Sequence, residues 1–80
     1  MAWRTLALEN REWSVSVAVE RRPGTDDWTL VAGFRSAHPE PRRYWIPLPI
    51  SSASKAVLYA KAEALSHEEL LGLLRERIAG

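Results

Sequence analysis

Eighty residues, 46% apolar and 26% charged, describe one domain close to the smallest size that a single hydrophobic core sustains, and they exclude a disordered chain. The net charge of +1 builds in no long-range attraction to nucleic acid or an anionic membrane, and the lack of cysteine removes both a disulfide framework and a thiolate metal site. No apolar run approaches the ~18 residues that span a bilayer, and no secretory signal opens the chain, so a cytoplasmic protein away from membranes is expected.

Trp3 to Leu8 reads as a first strand, followed by the connection Glu9-Asn10-Arg11-Glu12. The segment 13–20 alternates with period two, placing Trp13, Val15, Val17 and Val19 on one face and serine and alanine on the other. A Pro-Gly step and two aspartates then mark a turn, and the strand at 28–35 repeats the alternation with Trp28, Leu30, Ala32 and Phe34. A fourth strand is predicted at 43–48, after a proline-rich loop. From Ser51 the period becomes helical. A helix over about 52–64 is predicted to bury Ala53, Ala56, Val57, Ala60 and Ala64, with Ser51, Ser52 or Ser54 as its cap. Ser66 and Glu69 then match a capping box that opens a second helix over 67–79, rich in leucine. The expected fold is α+β: a four-stranded antiparallel meander with a C-terminal helical pair on one face.

Matching apolar faces sets a register, because a slip of one residue would turn every side chain over. The best match pairs Leu8 with Trp13, Trp13 with Phe34, and Phe34 with Tyr44. Trp13 and Trp28 are then core residues. The opposite face is small and weakly polar except for Trp3 and Trp45, with Trp45 across from Gly33, where an aromatic ring can shield a strand glycine. Arg35 and Arg43 flank Trp45 on that face, and Arg42 adjoins it in sequence.

Pro47 and Pro49 protect the fourth strand as an edge by removing ladder donors, whereas the first strand has no proline. Dimerisation is therefore expected along the first strand or through the leucine-rich helix. His38 and His67 lack zinc-site spacing, the serines lack a partnered base, and no glycine loop could cradle phosphate. No catalytic residue, metal or cofactor is expected. The sequence thus points to a small, self-associating, non-catalytic interaction or regulatory module. A second reading is single-stranded nucleic-acid binding on the outer face, through Trp3, Trp45, Arg35, Arg42 and Arg43.

Overall fold

The computed structural model describes residues 4–80, so Trp3 lies outside the described residues. Strand β1 (Arg4–Leu8) and strand β2 (Arg11–Arg21) are joined by Glu9 and Asn10, whose φ angles are 54° and 61°. Two consecutive left-handed residues are what a tight two-residue hairpin requires, because that backbone twist matches the twist of the flanking strands. The turn fixes the pairing: Leu8 faces Arg11, and Leu6 faces Trp13. A looser four-residue connection was expected, with Leu8 opposite Trp13.

Strand β3 (Trp28–Ser36) follows a turn in which the Arg22 amide donates to the Asp27 carbonyl (2.9 Å) and the Thr25 amide donates to that of Arg22 (3.2 Å). Gly24 takes the left-handed position (φ 76°) that a residue with a β-carbon would resist. The ladder runs out to Arg21–Trp28, which places Val15, not Trp13, opposite Phe34. Strand β4 (Arg42–Ser52) pairs with β3 as Phe34–Tyr44, Gly33–Trp45 and Ala32–Ile46, as the sequence predicts. Between Val31–Pro47 and Thr29–Ser51, Leu30 alone faces the three residues Leu48, Pro49 and Ile50. Two extra residues preserve the period, so Leu48 and Ile50 both pack beside Leu30.

The sheet order is β1-β2-β3-β4, antiparallel throughout, with two helices on one side. This is the predicted α+β meander. Helix α1 (Lys55–Glu63) begins when the Ser54 hydroxyl accepts from the Val57 amide. Helix α2 (His67–Ala79) begins with the predicted capping box, in which the Ser66 hydroxyl accepts from the Glu69 amide (3.0 Å) and the Glu69 carboxylate from the Ser66 amide (3.1 Å). Helix α2 covers one half of the sheet, where Leu70 and Leu74 join Leu6, Trp13, Val15, Ala32 and Phe34. Helix α1 covers the other half through Leu58 and Ala62 over Leu30 and Leu48.

The alanine stripe expected to face the sheet is instead exposed: Ala53, Ala56, Val57, Ala60 and Ala64 all lie on the solvent side. Leu58 is the reason. Burying one leucine side chain stabilises by roughly 1.5–3 kcal/mol, more than an alanine methyl can return, and the helix turns to bury it. Arg4 completes the join of sheet and helix by donating to the carbonyl of Glu63 at the end of α1 (3.1 Å), where a cation also suits the helix dipole.

Candidate binding face

Among the described residues no helix packs on the sheet face opposite α1 and α2, although Val31 on that face is fully buried. Because side chains alternate, that face is built from Thr5, Ala7, Glu12, Ser14, Ser16, Ala18, Glu20, Thr29, Val31, Gly33, Arg35, Arg43, Trp45 and Pro47. Most of these are small, and Trp45 is the one aromatic side chain among them.

Trp45 lies over Gly33. A β-carbon on Gly33 would stand 2.9 Å from Trp45 Cζ3, 3.1 Å from Cε3 and 3.2 Å from the Ser16 hydroxyl, so only glycine admits the ring this close. The glycine is buried beneath it while Trp45 remains 48% exposed. The indole therefore shields the strand and still offers half its surface outward. Shielding and availability are not alternatives here.

Beside the indole, Arg35 and Arg43 are direct partners across the β3–β4 ladder. Both are exposed, and among the described residues neither side chain forms an ion pair, hydrogen bond or ring contact. Like charges directly opposite one another on a sheet are destabilising by up to about 1 kcal/mol. Glu12 shares the face, diagonal to Arg35, without pairing with it. An open-sided cavity of about 350 Å³ is lined by Ser14, Ser16, Gly33, Arg35, Arg43 and Trp45.

The expected site thus assembles in part. Arg35, Arg43 and Trp45 come together. Arg42 does not join them: it faces the helix side, partners the buried Ser36, and borders a cavity with Trp13 and Ile78. Its guanidinium binds the Glu40 carboxylate at 3.1 Å. That hydrogen bond, aided by the Tyr44 hydroxyl, pushes its pKa above the ordinary arginine value. Ser14 and Ser16, which floor the cavity, were missed as site residues; their regular alternation with Trp13, Val15 and Val17 is the signal that places them there.

Trp13 and Trp28 separate as structural. Trp13 is fully buried, its ring 5.7 Å from that of Tyr44 and tilted 35° to it. Trp28 is half-buried at the rim of the α1 half, with the Lys55 ammonium 4.0 Å from its ring centroid and the Arg21 guanidinium 5.8 Å away. Those distances are cation–π contacts that fasten the start of α1 to the sheet.

Both histidines are exposed, and among the described residues no group of three His, Cys, Asp or Glu could hold a metal ion. Nor is any described helix long and apolar enough to cross a membrane. Compared with protein-family models, curated proteins and solved structures, the chain matches none.

Proposed function

We propose that this chain is a non-catalytic binding module whose partner docks on the sheet face opposite the helices, and that two copies associate along β1. The observation that carries the first part is the Arg35–Arg43 pair, two adjacent cations without an internal anion, set beside a half-exposed indole. A partner that brings negative charge would relieve their repulsion, and tryptophan and arginine are the side chains that most often dominate binding interfaces. The proposed setting is the cytoplasm, whose reducing conditions suit a chain with no cysteine.

Self-association is favoured by the contrast between the sheet edges. Pro47 and Pro49 interrupt the donors of β4, whereas β1 carries no proline in Arg4–Leu8. Antiparallel pairing of two β1 strands about an axis normal to the sheet would set both outer faces side by side.

Two measurements test these readings. A photo-cross-linking amino acid at position 45 should trap a partner in cells, while the same group at the exposed helix position Lys61 should not; equal trapping at both contradicts the docking face. Light scattering across a dilution series should give twice the 9.1 kDa chain mass. A monomer at every concentration removes the self-association.

A further inference from the structure

We infer that the outer face binds single-stranded nucleic acid, with Arg35 and Arg43 on a backbone phosphate and Trp45 against a base. The inference rests on the docking-face reading and names its partner. Three features of the face select that chemistry.

The first is charge. Arg35 and Arg43 are opposite one another and line one cavity, and among the described residues neither side chain forms an ion pair, even with the Glu12 carboxylate on the same face. Arginine presents planar, forked donors that match a phosphate, and two such forks on one patch suit a group with several acceptor oxygens. The serine hydroxyls of Ser14 and Ser16 line the same cavity and add donors of the kind that hold phosphate and sugar.

The second is shape. The floor formed by Ser14, Ser16 and Gly33 carries only small side chains or none, beneath a cavity open to one side. A planar base fits such a surface, and aromatic side chains on a sheet bind bases by stacking whatever their sequence.

The third is spacing. Arg43 and Trp45 are two residues apart on the same face of β4, roughly 6.6 Å along the strand. Phosphate and base of one nucleotide can then be engaged together. An acidic peptide would satisfy the arginines, but its carboxylates bring no aromatic ring to stack on the exposed half of the indole.

The test uses the full chain and a fluorescein-labelled oligothymidine, read by anisotropy as sodium chloride is raised. If the arginine pair neutralises one or two phosphates, the logarithm of the affinity falls against that of salt with a slope of about −0.7 to −1.4. Arg35→Gln with Arg43→Gln should flatten the slope and weaken binding. Trp45→Ala, or an abasic version of the same strand, should weaken binding roughly five- to 150-fold, the range of one lost stacking contact. Trp45→Phe should recover most of that loss. Absent binding, binding indifferent to salt, or equal competition by polyglutamate each overturns the inference. Failure of the oligothymidine alongside position-dependent cross-linking at residue 45 would leave the docking face standing and exclude nucleic acid as its partner. Failure of both removes the face itself.

Discussion

Trp45 and Gly33 form a fitted pair: the six-membered half of the indole rests where a β-carbon on the glycine would stand, 2.9 Å from Cζ3. Adding that carbon forces the ring or the strand to move, and overpacking of this kind costs about 1–3 kcal/mol. Gly33→Ala should therefore lower the urea midpoint in the wild-type background and cost far less in a Trp45→Ala background. The double-mutant cycle measures the coupling directly. Additive effects would separate the two residues.

The adjacent arginines lead to an opposite result. Arg43→Glu converts a like-charge pair into an ion pair with Arg35, and should stabilise the fold by up to about 1 kcal/mol at low salt. The gain should shrink as salt screens the exposed charges. Thermal unfolding at two ionic strengths checks both statements, and the same substitution should abolish oligothymidine binding.

Core burial makes Trp13 the most demanding position. Trp13→Ala should cost about 3–5 kcal/mol, a large share of what a domain of this size possesses. Its indole N–H, however, is buried with no acceptor among the described residues. A buried donor left unpaired costs about 1–3 kcal/mol. Trp13→Phe removes that donor along with some packing, so it should stay within about 1 kcal/mol of wild type. Chemical denaturation separates the two variants.

Gly72 sits within α2, and a β-carbon there would meet nothing within 4 Å. Glycine in a helix costs about 1 kcal/mol relative to alanine. Gly72→Ala should accordingly raise the melting temperature, by about 4–8 °C for a domain of this length.

Much of this architecture was legible in the residues, and the failures have physical causes. Period-two alternation assigned the faces of β2, β3 and β4 correctly, and Phe34–Tyr44 and Gly33–Trp45 were paired as observed. Across β1–β2 and β2–β3 the pairing was off by two residues. An even slip leaves each side chain on its own face, so the core composition survived the error. The β1–β2 error arose at the Glu9-Asn10 turn, which takes positive φ at two residues without the glycine that usually signals it, and the β2–β3 error at the turn over 22–27, which closes with Arg21 opposite Trp28. Helix α1 was misread because a long stripe of alanines outnumbered Leu58, whereas burial follows area and not count. Arg42 was grouped with Arg43 by adjacency, yet neighbours on a strand point to opposite faces.

The central claim is that the surface around Trp45, Arg35 and Arg43 receives the partner, and indole N–H resonances test it most directly. The Trp45 signal is assigned by its loss in Trp45→Phe and followed as oligothymidine is added. The account predicts that this resonance shifts in a salt-dependent manner while that of Trp13, sealed in the core, does not move. A Trp45 signal that stays fixed at saturating oligothymidine, or shifts confined to the helix side of the sheet, would contradict it.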